Sequence, residues 1–278
     1  MTMLSAVSVP EGIVLSADSS VSGGNNYTDK IFADNTNNIA FMIYNNAMNF
    51  YNFQVKYSHP NSTLYKSNEK RILQSTSEYK NNNTPKKFLE HMIKKNELNM
   101  SFSSDWTGVV VAGYEDDIPK LYTFVTSKGE TKYNPQGSDK TRYYIIPSSS
   151  GKKSYNIYED IIKVEQNNRE DKEIKLHCFE KYFGICFSTV NHISDLYGGL
   201  TPNKVDFKCF EKMSIQDAED YSRFLIEYTI KQMKEEGNKD VDYPIDTLII
   251  TKDGIRWERG NKSNNNDSVK FYSGNLNI

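Results

Sequence analysis

Cysteine is scarce: Cys178, Cys186 and Cys209 are the three in a chain of 278 residues, an odd number with no C-x-x-C spacing. That pattern supports neither a zinc cage nor a disulfide framework, and a reducing, cytoplasmic setting is expected. Long apolar runs are also missing. Runs such as those at residues 109–112 and 248–250 fall far short of the ~20 needed to cross a bilayer, so no membrane partner is expected. No charge of one sign dominates, because 34 Lys and Arg stand against 36 Asp and Glu. Without a basic field, nucleic acid is not an expected partner. The first ten residues have neither a basic leader nor a long apolar stretch and do not read as a secretory signal.

What is present describes a globular chain. Hydrophobic residues at 37% and aromatics at 13% can fill a sizeable core, and the length suits one elaborated domain. Residues 3–9 and 12–17 are β-branched or small and flank Pro10-Glu11-Gly12, which predicts a hairpin at the start. Strands are expected again around Lys30-Ile31-Phe32 and over 39–44. Met48, Phe50, Tyr51, Phe53 and Val55 suggest a helix start. Thr84 as N-cap, Pro85 at the first helical position and the stripe Phe88, Leu89, Met92, Ile93 predict a further helix.

Residues 107–114 and 120–125 read as a second hairpin around 115–119. Between 127 and 180 the sequence is polar except for Tyr143-Tyr144-Ile145-Ile146, and the charged run 163–175 is expected to be an exposed, mobile insertion. A short strand at 182–187 leads into a helix capped by Ser188 and closed by Gly198-Gly199. Ser214, with Asp217 at the capping-box position, opens a longer helix carrying Ile215, Ala218, Tyr221, Leu225 and Tyr228. Strand 245–251, the turn Asp253-Gly254 and the return Ile255-Arg256-Trp257 complete the pattern. Hairpins in every β block, without regular βαβ alternation, exclude a Rossmann or barrel fold. The expected fold is α+β: a four-layer αββα sandwich of two antiparallel sheets, one domain over 1–278 with insertions at about 58–105 and 127–180.

Thr2-Met3-Leu4-Ser5-Ala6-Val7 followed by Gly12-Ile13-Val14-Leu15-Ser16-Ala17-Asp18-Ser19 resembles the opening of proteasome β subunits and of the related bacterial ATP-dependent peptidase, which are N-terminal-nucleophile hydrolases. Thr2 and Asp18 lie sixteen positions apart, the interval of the family's threonine and aspartate. Lys30, in Asp29-Lys30-Ile31-Phe32, matches the family's lysine but stands four positions closer to the threonine, a difference that a shorter loop around Gly23-Gly24 absorbs. Met213 to Ala218 and Ile245 to Ile255 resemble the family's last helix and closing hairpin. Phe187-Ser188, Tyr197-Gly198-Gly199-Leu200 and Tyr243-Pro244-Ile245-Asp246 are similar to a group of bacterial proteasome-like proteins. About half the chain carries the likeness; residues 45–105 and 127–180 do not.

The resemblance implies a threonine-type amidohydrolase or peptidase. The Thr2 hydroxyl would attack an amide once its own α-amine, with an ordinary pKa near ~7.7 to 8.0, takes the proton. That amine must be free, so Met1 must be removed. Lys30 would tune the site and Asp18 would hold Lys30 charged. Asn45 stands where the family has a glycine whose N–H meets the oxyanion, a departure that bears on efficiency. Ser188 is a candidate for the family's supporting serine, and Asp240 or Asp242 for its supporting aspartate. No cofactor or metal is implied. The substrate would be a peptide or a small amide, and a homo-oligomeric ring is the assembly implied. The alternative is a catalytically silent scaffold or binding protein of the same fold, motivated by Asn45.

Other chemistry-bearing residues have plainer readings. His177, Cys178, Cys186 and His192 share a stretch but fit no metal spacing, and Cys186 in an apolar strand reads as a small buried hydrophobe. His59 and His91 lie in polar context. The basic residues around 86–95 read as a solvated helix face, and Tyr143-Tyr144 as core or subunit contact.

Overall fold

The computed structural model describes residues 2–20, 29–34, 37–44, 84–94, 107–126, 144–146, 154–166, 169–188 and 209–259. In chain order these form β1 (Met3–Val9), β2 (Gly12–Asp18), β3 (Ile31–Asp34), β4 (Ile39–Tyr44), α1 (Pro85–Lys94), β5 (Thr107–Glu115), β6 (Ile118–Thr126) and β7 (Tyr144–Ile146). They continue as β8 (Tyr155–Gln166), β9 (Arg169–Lys181), β10 (Phe183–Ser188), α2 (Ile215–Glu235), β11 (Ile245–Thr251) and β12 (Gly254–Arg259). The expected helix at 48–55, residues 189–197 of the helix expected after Ser188, the loop at Gly23-Gly24, His59, His192 and Met1 lie outside the described residues.

Two six-stranded sheets result, ordered β12-β11-β2-β1-β10-β7 and β3-β4-β5-β6-β9-β8, and their recorded pairings are antiparallel. Alternation of side chains along each strand divides the core. Leu4, Ala6, Ile13, Leu15, Ala17, Leu248 and Ile250 meet Ala40, Met42, Val110 and Ala112 between the sheets. The opposite parity of the first sheet, including Met3, Val7, Val14 and Ile249, packs on Leu225, Ile226 and Ile230 of α2. On the second sheet Phe41, Ile43, Val109 and Val111 pack on Phe88, Leu89 and Met92 of α1.

Both helices start as their sequences dictate. The Ser214 hydroxyl accepts from the Asp217 amide at 3.1 Å, and the Thr84 hydroxyl accepts from the Lys87 amide at 3.3 Å, each satisfying a donor left without an intrahelical partner.

Two differences from expectation have physical causes. The β5–β6 turn is tighter than 115–119, because Asp116 and Asp117 both take left-handed backbone (φ 51° and 63°) and close a two-residue hairpin. The region read as an exposed insertion contributes β8 and β9, of 12 and 13 residues, to the second sheet. Leu121 pairs with Phe179 and Tyr122 with Cys178, so the base of this hairpin is core, while the charged run 163–175 lies toward its tip. Its charges conceal the strands because one face of β8 is open: Ile157 and Ile161 are 38% and 50% exposed.

Candidate functional site

β2 alternates until Asp18, its last residue, where Ser19 and Ser20 lead the chain away. Asp18 organises this strand end. Its Oδ1 accepts from the Met3 amide at 2.8 Å. Its Oδ2 accepts from the Ser20 amide at 3.2 Å, an Asx turn, and from Lys30 Nζ at 2.8 Å. The sequence-predicted Asp18 and Lys30 are thus brought together. They come from different sheets, since Lys30 leads into β3 and its carbonyl accepts from the Ile43 amide of β4 at 3.2 Å.

The ion pair is sealed from water, with side-chain exposure of 0% for Asp18 and 1% for Lys30. Burial pushes the Asp18 carboxyl up and the Lys30 ammonium down, in each case toward the neutral form, and their mutual attraction and hydrogen bond oppose this. Perturbed ionisable groups cluster at functional sites, which makes this buried pair a site candidate.

Thr2 immediately precedes Met3, whose amide Asp18 holds, and is buried at 4% exposure. It has the parity of Leu4 and Ala6, the residues that face the second sheet. Ser188 reaches the same end of the sheet from the other side, as the register partner of Met3. Asn45 lies outside the described residues. The strand before it ends at Tyr44, which is buried, packs on Phe187 with ring centroids 5.7 Å apart and lies opposite Gly108. A Cβ at Gly108 would fall inside the Tyr44 ring, so glycine there fixes how closely β4 approaches β5 beside position 45.

Of the two candidates for a supporting aspartate, Asp242 has its carboxylate engaged by α2. Asp242 pairs with Lys234 of α2 at 3.1 Å, and the Asp240 amide donates to Asn238 Oδ1 at 2.9 Å. Sequence reasoning passed over Asp246 and Ser19. The Ser19 hydroxyl donates to Asp246 Oδ2 at 2.9 Å, both residues are 3% exposed, and the Asp246 charge acts on Lys30. The available signal was a single carboxylate inside the otherwise uncharged strand 245–251.

The remaining candidates are structural in character. Cys186 is 2% exposed, and burial pushes its thiol up; the Cys178 thiol is pushed up to about 11 by the same cause. Both are therefore poor thiolate nucleophiles. His177 is buried in β9. Tyr144 packs against the α2 cluster. Among the described residues no group of three His, Cys, Asp or Glu is arranged to hold a metal ion, and no helix is long and apolar enough to cross a membrane.

No protein-family model matches the chain, and no curated protein matches it.

Proposed function

We propose that the chain is an N-terminal threonine hydrolase with the four-layer αββα architecture of proteasome-like N-terminal-nucleophile enzymes, cleaving an amide bond in a peptide or small amide. The observation that carries this reading is the buried Asp18–Lys30 pair at 2.8 Å, anchored to the amide that follows Thr2. The clusters of α2 on the first sheet and α1 on the second support the layer order.

Removal of Met1 frees the Thr2 α-amine. That amine takes the Thr2 hydroxyl proton as Oγ1 bonds to the amide carbon, then delivers it to the departing nitrogen as the C–N bond breaks. An ester on Thr2 remains, and water, deprotonated by the same amine, releases the acid and restores the hydroxyl. Lys30 supplies positive charge beside the nucleophile and Asp18 fixes its position. Asn45 is the proposed donor to the oxyanion, and Ser188 the supporting hydroxyl at the sheet end. The same reading puts the protein in the cytoplasm and gives it a homo-oligomeric ring as its assembly.

The test is amide hydrolysis across a peptide library. Turnover that survives in part in Thr2→Ser and vanishes in Thr2→Ala supports the reading; turnover undiminished in Thr2→Ala rejects it. A second reading, a catalytically silent scaffold of the same fold, is favoured by the burial of Thr2 at 4% exposure. Quantitative retention of Met1 in purified protein would select it.

A further inference from the structure

We infer that Asp18 and Asp246 bracket Lys30, and that Asp246 is a positioning residue holding the Lys30 ammonium charged and in place. This deepens the threonine-hydrolase reading and rests on it for its catalytic meaning.

Asp18 is a divided counter-ion. Its two oxygens serve the Met3 amide, the Ser20 amide and Lys30 together. A buried ammonium needs more than a shared charge, because the low-dielectric surroundings favour its neutral form. Asp246 supplies a second one. Its backbone lies opposite Ala17, one position along from the Ile245 to Asp18 pairing, so β11 carries it to the same end of the sheet. It has the parity of Leu248 and Ile250, which fill the space between the sheets, and therefore sits on the face toward the strands that follow Lys30.

The carboxylate is fixed as well as near. Ser19, the residue after Asp18, donates its hydroxyl to Asp246 Oδ2 at 2.9 Å, while its amide donates to the Pro244 carbonyl at 3.0 Å. One residue thus ties both carboxylates into a single frame. A carboxylate on the inner face of a strand whose neighbours are Leu248, Ile249 and Ile250 is costly to bury, and a hydroxyl donor and a nearby ammonium offset that cost. The carboxylates acting on Lys30 are Asp18 from β2 and Asp246 from β11, and both oppose the effect of burial on it; Asp29, on the segment that carries Lys30, is buried too.

The experiment is an NMR pH titration of the Lys30 side chain in protein carrying labelled lysine, with the signal assigned by its loss in Lys30→Arg. Asp246→Asn is expected to bring the Lys30 midpoint about one pH unit lower, the effect of losing one nearby opposite charge. Asp246→Glu is expected to restore it, and Asp242→Asn, whose partner is the exposed Lys234, to leave it alone. Where Asp246→Asn does not fold, Ser19→Ala keeps the charge but removes the hydroxyl that orients it, and a smaller fall is expected. An unchanged midpoint in the variant measured overturns the inference. The midpoint is read on resting protein, so a shift without any reaction at Thr2 upholds the bracket while rejecting the hydrolase.

Discussion

Lys30 Nζ and Asp18 Oδ2 meet at 2.8 Å at the end of β2, both withdrawn from water. Each is the other's principal counter-charge, which makes the pair costly to break singly. Lys30→Met leaves a buried carboxylate behind and is expected to destabilise the protein by roughly 3–5 kcal/mol, whereas Asp18→Asn combined with Lys30→Met removes both charges and recovers most of that loss. Urea unfolding of the two variants checks this; a double variant as unstable as the single one contradicts it.

Gly108 and Tyr44 give a steric prediction. A methyl at 108 would occupy the space of the Tyr44 ring, which is buried against Phe187. Gly108→Ala is expected to cost about 1–3 kcal/mol or more, as overpacking does. Adding Tyr44→Leu, which vacates the ring, should return part of it. Thermal unfolding of the single and double variants reads the difference, and a neutral Gly108→Ala would show that β4 and β5 are not so closely set.

A separate charge network sets an acid limit on stability. Lys120 bridges Glu115 at 3.1 Å and Glu180 at 3.0 Å. Partial burial works to raise the Glu180 carboxyl, but hydrogen bonds from Lys120 and Tyr158 hold it below its ordinary value of 4.5. A depressed carboxylate contributes stability that is present above the unfolded value and lost as pH falls through the folded one. Wild type should therefore exceed Glu180→Gln in stability at neutral pH, with the gap closing as pH falls from about 4.5. Denaturant midpoints at a series of pH values check this, and a gap that widens toward acid contradicts it.

Local chemistry made much of this fold legible. Pro10-Glu11-Gly12, Asp253-Gly254, Thr84-Pro85 and Ser214 each announce a turn or a cap through their own backbone or hydroxyl, so the first hairpin, the last hairpin and both helices fall where the sequence places them. β8 and β9 are obscured because the pairing of β9 with β6 is long-range and the charged tip of the hairpin imitates a solvated loop. Asp18 is legible through a family-like interval and Lys30 through its place before an apolar strand, four positions off the family's interval, and the structure joins them. Asp246 acquires meaning only when β11 is laid beside β2, a relationship that no window of sequence contains. Asn45 lies outside the described residues, so its candidacy still rests on sequence alone.

The central claim is that Thr2 is a live nucleophile. Intact mass of the purified protein, before and after incubation with a threonine-directed β-lactone or epoxyketone, tests it most directly. Met1 is expected to be absent and one adduct to form, disappearing in Thr2→Ala and falling sharply in Lys30→Met. Retained Met1 with no adduct, or an adduct that persists in Thr2→Ala, would contradict it.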